Sequence, residues 1–353
     1  MSRKMPGIPV TPIAAIIARG SHSRAIAAVV RFRRSMYGAL LSVCALLAPV
    51  HPSLAADYPD RPIHLIVPFP AGSSVDMVAR PLAQGLTTVL GQEIVVDNHP
   101  GAGAIVGTAI VARAKPDGYT MLLAAGAHTS QASLSKLPYD PIRDFAPITQ
   151  VAASCGLVLL ANTQLEATTV RELVALAKKT PGKLSYATLG YGSSTHVAGA
   201  LFAKSAGIDL IGVPYASPNL INDFVAGRVD MAFISTVSAA APVQTGHVRP
   251  LAVTGPRRCE SFPSTPTLKE LGYREFDREG YFGLAFPAGT PPAYVDRIYK
   301  ATVIVLKTPD MGRAMHADGL RSVGSTPQEF DSLLRDDLKK EAEIIKRIGI
   351  TKD

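Results

Sequence analysis

Two short stretches in opposite halves of the chain share one pattern, and it restricts the possible folds more than any other feature. The first reads Leu65-Ile66-Val67-Pro68-Phe69-Pro70-Ala71-Gly72-Ser73-Ser74-Val75-Asp76, and the second Leu184-Ser185-Tyr186-Ala187-Thr188-Leu189-Gly190-Tyr191-Gly192-Ser193-Ser194-Thr195-His196. Each is a strand-like run, a Gly/Ser loop and the start of an amphipathic helix. A loop of that kind offers unpaired backbone N–H groups, hydroxyls and the positive end of a helix dipole. Two of them predict a cleft that grips an anion from both sides, so binding is expected before chemistry.

Residues 1–55 are a different kind of sequence. They carry Arg3, Lys4, Arg19, Arg24, Arg31, Arg33 and Arg34 with no Asp or Glu, then an apolar run from Met36 to Ala48 and the small-x-small pattern Ser53-Leu54-Ala55. This is the pattern of a secretory signal peptide. Its apolar run falls short of the roughly 20 residues a span requires. Arg33-Arg34 is a weak match to a twin-arginine signal. Leu41-Ser42-Val43-Cys44 is a poor lipoprotein site, because Val precedes the Cys. Removing the leader takes seven charges from the +8 of the whole chain and leaves about +1, which excludes a basic nucleic-acid-binding face. The remaining chain is long enough for two domains. Of its two cysteines, Cys155 and Cys259, an oxidising compartment permits a bridge, with buried free thiols as the alternative.

Strand-like and helix-like segments alternate throughout. Strands are expected at Ile63–Phe69, Glu93–Asp97, Thr120–Ala125, Val158–Ala161, Leu184–Thr188, Ile211–Pro214, Val229–Ile234 and Arg249–Thr254. Helices are expected at Val75–Leu90, Ala104–Ala114, Val170–Lys179, His196–Ala206, Ala216–Ala226, Pro292–Leu306 and Pro327–Ile348, the last two returning to the first unit. The order predicts an α/β protein with mostly parallel sheets. In open sheets of this type ligands sit at the carboxyl ends of strands, where both Gly/Ser loops fall.

At this level of detail the chain from about Tyr58 to Ile350 resembles the solute-binding receptors of tripartite tricarboxylate transporters, the Bug proteins. The resemblance rests on Tyr58-Pro59-Asp60-Arg61-Pro62-Ile63, Val67-Pro68-Phe69-Pro70-Ala71-Gly72, Asn98-His99-Pro100-Gly101-Ala102-Gly103 and Pro116-Asp117-Gly118-Tyr119-Thr120. It continues through Leu137-Pro138-Tyr139-Asp140-Pro141, Gly192-Ser193-Ser194-Thr195-His196, Val213-Pro214-Tyr215, Leu251-Ala252-Val253-Thr254-Gly255 and Pro287-Ala288-Gly289-Thr290-Pro291. It implies a two-domain periplasmic binding protein of type II, a clamshell with two interdomain crossovers: domain 1 at 56–160 plus 282–353, domain 2 at 161–281. It also implies that the loops matching Ala71–Asp76 and Gly190–His196 hold a ligand carboxylate, and that membrane transporter subunits receive the ligand. Four departures stand out. Gly72-Ser73 replaces the usual Gly-Gly, Ala216-Ser217 follows Tyr215 where Lys-Gly is usual, Ile234-Ser235 replaces a frequent Asp or Asn, and Tyr281 replaces a common Trp. Ser73 would be strained if its position needs a positive φ, and would supply an extra donor if not.

The expected ligand-binding residues are therefore Phe69, Ala71, Gly72, Ser73, Ser74, Asp76, His128, Thr129, Gly190, Tyr191, Gly192, Ser193, Thr195, His196, Tyr215 and Ser235. Asp76 reads equally as a first-turn carboxylate favoured by the dipole or as the organiser of its loop. His196 reads as a histidine bonded to backbone or as a ligand contact. Tyr191 and Tyr215 read as phenolic donors, an aromatic wall or ordinary half-buried tyrosines. Phe69, Tyr281 and Phe282 read as hinge or cleft packing, and Arg80 and Arg171 as solvated. A bulky change that blocks an N–H, Gly192→Pro, is expected to abolish binding with the fold intact.

Catalysis is not expected. Gly101-Ala102-Gly103-Ala104-Ile105-Val106-Gly107 has one residue too many for a dinucleotide fingerprint and lacks the acidic strand end. Ser193, Ser194 and His196 form no Gly-x-Ser-x-Gly elbow, so a secreted hydrolase is the remote alternative. No spacing suggests a metal, and no cofactor is expected. The chain is expected to be a periplasmic monomer that binds a small carboxylate, with a receptor feeding a signalling partner as the alternative.

Overall fold

The structure, a computed structural model, describes residues 58–215, 219–317 and 319–350. The expected leader and the expected helix start at Ala216 lie outside the described residues. In chain order the elements are β1 (Ile63–Val67), α1 (Ser74–Leu90), β2 (Ile94–Asn98), α2 (Ile105–Ala112), β3 (Thr120–Ala125), α3 (Ala127–Leu134), β4 (Phe145–Ser154) and β5 (Leu157–Asn162). There follow α4 (Val170–Lys179), β6 (Ser185–Thr188), α5 (Ser194–Ala206), β7 (Ile211–Pro214), α6 (Asn219–Val225), β8 (Met231–Ser235), α7 (Thr236–Gln244) and β9 (Val248–Val253). The chain closes with β10 (Gly280–Pro287), α8 (Pro292–Leu306), α9 (Pro309–Ala317), β11 (Leu320–Ser322) and α10 (Pro327–Ile348).

Two sheets result. The first has the order β11-β4-β10-β3-β1-β2 and the second β7-β6-β8-β5-β9. Apolar residues alternate to both faces, so helices cover each sheet on both sides. On the first sheet, Val78, Leu82 and Leu86 of α1 and Ile298 and Val305 of α8 share a core with Leu65, Met121 and Leu284. On its other face Phe330 and Leu334 of α10 pack on Ile66, Leu122 and Ala285. In the second sheet Leu173, Leu201 and Phe202 cover Leu159 and Phe233, while Leu220, Phe224 and Ala239 cover Val158 and Ile234. Each large buried side chain contributes about 1.5–3 kcal/mol relative to exposure, so each sheet has a core of its own.

The α/β class and two-unit order stand, but the sheets are mixed where mostly parallel sheets were expected. β1 is parallel to β2 and β3, and β6 to β7 and β8. β10 is antiparallel to β3 and β4, β11 to β4, and β5 to β8 and β9. The reversed strands are mostly those that carry the chain between sheets. It passes from the first to the second between Ser154 and Leu157 and returns between Val253 and Gly280. No crossover helix within one sheet forces these strands to run parallel.

A disulfide joins Cys155 to Cys259, with Cα atoms 5.5 Å apart, which settles the open choice between bridge and free thiols. Helix α10 also spans both sheets. Its Phe330 and Leu334 belong to the first core, and Ile344 and Ile348 pack on the second. Arg278, just before β10, pairs with Asp337 (2.8 Å) and Glu341 of this helix, and Arg347 pairs with Glu275 (2.7 Å).

Candidate functional site

The two look-alike stretches fold into the same device. In the first, Gly72 takes φ +77° and Ser73 is the extended N-cap of α1 (φ −71°, ψ 163°). The positive φ falls on Gly72, so Ser73 is unstrained and its Oγ accepts from Asp76 N (3.3 Å). The second repeats these features: Gly192 at φ +73°, and Ser193 as N-cap of α5 (φ −64°, ψ 157°) with Oγ accepting from His196 N (3.3 Å). Ser73 N donates to Pro70 O, and Ser193 N to Gly190 O, both at 3.2 Å.

The residue three after each cap then reaches back across the turn. Gly72 N donates to Asp76 Oδ2 (2.8 Å), and Gly192 N donates to His196 Nδ1 (3.0 Å). With cap and third helical N–H satisfied, the first two N–H groups of each helix remain, those of Ser74 and Val75 and of Ser194 and Thr195. Among the described residues none accepts from them. They sit at the positive end of a 17-residue and a 13-residue helix.

The surroundings differ. Asp76 is buried, and its oxygens also accept from Arg80 Nε (2.9 Å) and Asn98 Nδ2 (3.0 Å). Burial opposes its charge, but the bonds from Arg80, Gly72 and Asn98 outweigh it and hold the carboxyl below its ordinary value. Arg80 is exposed, as read from sequence, and at the same time pairs with this buried carboxylate. Asn98 binds three ways, donating also to Phe69 O (3.1 Å) and accepting from Arg80 (3.2 Å). Sequence reasoning passed over both as site residues. The signals for Asn98 were its place in the Asn98-His99-Pro100-Gly101 landmark and at the end of β2, beside Val67 in the parallel register.

Among the described residues His196 has no charged partner. A ring nitrogen that accepts from Gly192 carries no proton, so the imidazole is neutral, and burial lowers its pKa below the ordinary value. The ring neighbours Tyr186 (centroids 6.5 Å apart) and Tyr191 (5.0 Å). Thr195 Oγ1 accepts from Leu189 N (2.8 Å), Thr188 Oγ1 from Gly190 N (3.2 Å), and Ser193 Oγ donates to Gly190 O (2.7 Å). Because the Gly192 N–H serves His196 and its φ is outside the range of proline, Gly192→Pro would deform this loop; the donor it was meant to remove is already spent.

The second loop touches the first sheet's layer. A Cβ at Gly192 would stand 2.9 Å from Leu134 Cδ1, at the end of α3. Helix α3 follows β3, the neighbour of β1, whose end carries the first loop. Next to that loop Ala102, Gly103 and Ala104 all take positive φ (47°, 64° and 79°), a short left-handed turn packed on Gln131 of α3.

The remaining expected residues are held by contacts of their own, and Tyr215 N donates to Thr188 O (2.8 Å) beside the second loop. His128 is buried edge-on against Phe145 and donates from Nε2 to Pro141 O (2.7 Å); burial lowers its pKa to about 4. Thr129 Oγ1 bonds Gly126 O (3.0 Å), Tyr281 OH (3.2 Å) and Asp337 Oδ2 (2.5 Å), so it braces α10. Tyr215 follows β7 with its phenol pKa raised, by burial first and by the neighbouring Asp223 second. Ser235 caps α7, its Oγ accepting from Ser238 N (3.3 Å). Phe69 is half-buried on the first core, and Ala71 is exposed.

Among the described residues no cluster of His, Cys, Asp or Glu is arranged to hold a metal ion, and no helix is long and apolar enough to cross a membrane.

Comparison with known proteins bears on this geometry. The family model described as tripartite tricarboxylate transporter family receptor matches residues 78–350. Protein BugT of Bordetella pertussis is 32% identical over 319 residues, covering 89% of this chain and 97% of its own. Two solved structures hold carboxylates: R. palustris Rpa4515 with adipate (28% identity, TM-score 0.77, 84% of this chain and 100% of that one), and MatC of Rhodopseudomonas palustris with bound malate (26%, TM-score 0.74, 82% and 100%).

Proposed function

Because the chain belongs to the tripartite tricarboxylate transporter receptor family, we propose that it is an extracytoplasmic solute-binding receptor that captures a small carboxylate between its two Gly/Ser loops and delivers it to a membrane transporter of that type. The observation that carries the reading is the matched pair of helix ends. Each has its cap and its third N–H satisfied internally and its first two N–H groups without a protein acceptor among the described residues. A carboxylate has four acceptor sites, and four N–H groups from two dipole ends would fill them. Charge-assisted bonds contribute about 1.5–3 kcal/mol each, and micromolar affinity needs about −8 kcal/mol after ordering costs.

Asp76 does not repel such a ligand, since its oxygens face Gly72 N, Asn98 and Arg80. The lobes would be residues 56–160 with 282–353 and residues 161–281, hinged at the two crossovers, and closure would bring both loops onto the carboxylate and expel water. The receptor would work as a periplasmic monomer after loss of residues 1–55. Adipate and malate in the related structures support a carboxylate ligand. The test is a thermal-shift and calorimetric panel of small carboxylates on residues 56–353. A ligand at 100 times its Kd should stabilise by about 2.7 kcal/mol, whereas a ligand-free protein that no carboxylate stabilises would count against the reading.

A further inference from the structure

We propose that the ligand carries a single carboxylate on an apolar, aromatic body, an arylcarboxylate, in place of a second charged group. The inference rests on the receptor reading above and names the ligand class of the same site.

The two loops differ where the ligand's body would lie. Aligned on their caps, Ala71 matches Tyr191 and Phe69 matches Leu189. Phe69 is packed on the first core. Leu189 and Tyr191 are 58% and 56% exposed, the two most exposed large hydrophobic residues among those described. They flank Gly190 immediately before the free N–H groups of α5, and Tyr191 lies against His196, itself stacked on buried Tyr186. The second loop thus offers a carboxylate grip continuous with an apolar and aromatic floor. Aromatic faces favour planar partners through offset or edge-on packing, and apolar surface left in water is a driving force for whatever covers it.

Charge points the same way. Residues 69–76, 98–104, 126–135, 188–196 and 231–238 contain no Lys or Arg. Arg80, which reaches the first loop, is committed to Asp76 and Asn98. His196 is neutral because it accepts from Gly192. The four N–H groups suffice for one carboxylate. A second carboxylate would be desolvated beside Leu189 and Tyr191 with no Lys or Arg in these segments to pair it, which is costly. The aryl body meets no such charge requirement.

The test compares benzoate and phenylacetate with malate and adipate by calorimetry on residues 56–353, for the parent protein and for Tyr191→Ser and Leu189→Ser. Both side chains are more than half exposed, so both variants should remain folded, as their Tm checks, and Leu189→Ser leaves the Tyr191–His196 packing in place. The expected result is that an arylcarboxylate binds at least tenfold more tightly than malate or adipate. Each variant should weaken the arylcarboxylate tenfold or more, and by a larger factor than it weakens malate or adipate. Tighter binding of malate or adipate than of either aryl acid overturns the inference and leaves the receptor reading standing. So does an aryl affinity that both variants leave unchanged. Binding of none of the four overturns the inference alone if another carboxylate of the panel binds, and both readings if none does.

Discussion

The first and second loops use one backbone solution with opposite electrostatics. In both, a glycine at positive φ, a serine cap and a side chain three residues on fix the turn and leave two N–H groups at a helix end. In the first the returning side chain is a buried carboxylate with an arginine and an asparagine as partners. In the second it is a neutral imidazole beside two tyrosines. Loop shape is therefore set by hydrogen-bond acceptors, and the charge of the acceptor is free to differ. The charged version needs a network to support it; the neutral version needs only aromatic packing, but it can be titrated.

The largest effect that would sharpen this contrast is removal of the returning side chain. Asp76→Ala strands Gly72 N, Asn98 and Arg80 together, and should cost about 3 kcal/mol in urea unfolding, as for other broken buried networks. His196→Ala loses one neutral bond and should cost about 1.5 kcal/mol. Equal losses would mean that the first loop's network is not what holds it.

Acid separates the loops next. His196 and His128 both have pKa values lowered by burial, His128 to about 4. Below about 6.5 the unfolded chain binds protons that these rings refuse when folded, so stability falls with pH until the folded values are reached. For His128 alone the window from 6.5 to about 4 corresponds to about 3 kcal/mol, at 1.36 kcal/mol per unit. Asp76, lowered below its ordinary value, keeps its contribution across that range and loses it only below the usual carboxylate pKa, as pH falls through its folded value. NMR titration should show Gly192 N–H shifting with His196 while Gly72 N–H stays constant down to about pH 4; co-titration of both amides would contradict the separation.

The caps give the smallest difference. Ser73→Ala removes one cap and should cost about 1 kcal/mol. Ser193→Ala also removes the bonds to Gly190 O and Thr195 Oγ1 (2.9 Å), and should cost somewhat more, about 1.5–2 kcal/mol. Denaturant midpoints at pH 7 would reveal the reverse order if the extra bonds contribute nothing.

Much of this was legible in the sequence. Helices α4, α8 and α10 have the bounds expected, because Thr169 and Thr326 cap two of them, Pro292 starts another, and Glu329 completes a capping box. Both loops were visible because Gly, Ser and the following helix are local signals. Strands β4 and β10 were not. β4 buries Thr149 and Gln150, whose polarity hides a strand. β10 carries Gly283, whose reason lies far away: a Cβ there would collide with the Phe330 ring of α10. The Arg80 and Asn98 roles depend on the β1–β2 register, and the disulfide joins residues 104 apart. Such contacts are made by tertiary packing and leave no periodicity to read.

The most direct measurement of the central claim deletes one unpaired helix-end N–H from each loop. Proline suits the first helical position, and the residues before Ser74 and Ser194 already have the extended backbone that a following proline demands. Calorimetry of Ser74→Pro and Ser194→Pro with any carboxylate that binds the parent should show each change weakening affinity by roughly ten- to a hundredfold, the equivalent of one charge-assisted bond, with Tm nearly unchanged. Full affinity in either variant would mean that the loop it alters does not hold the carboxylate.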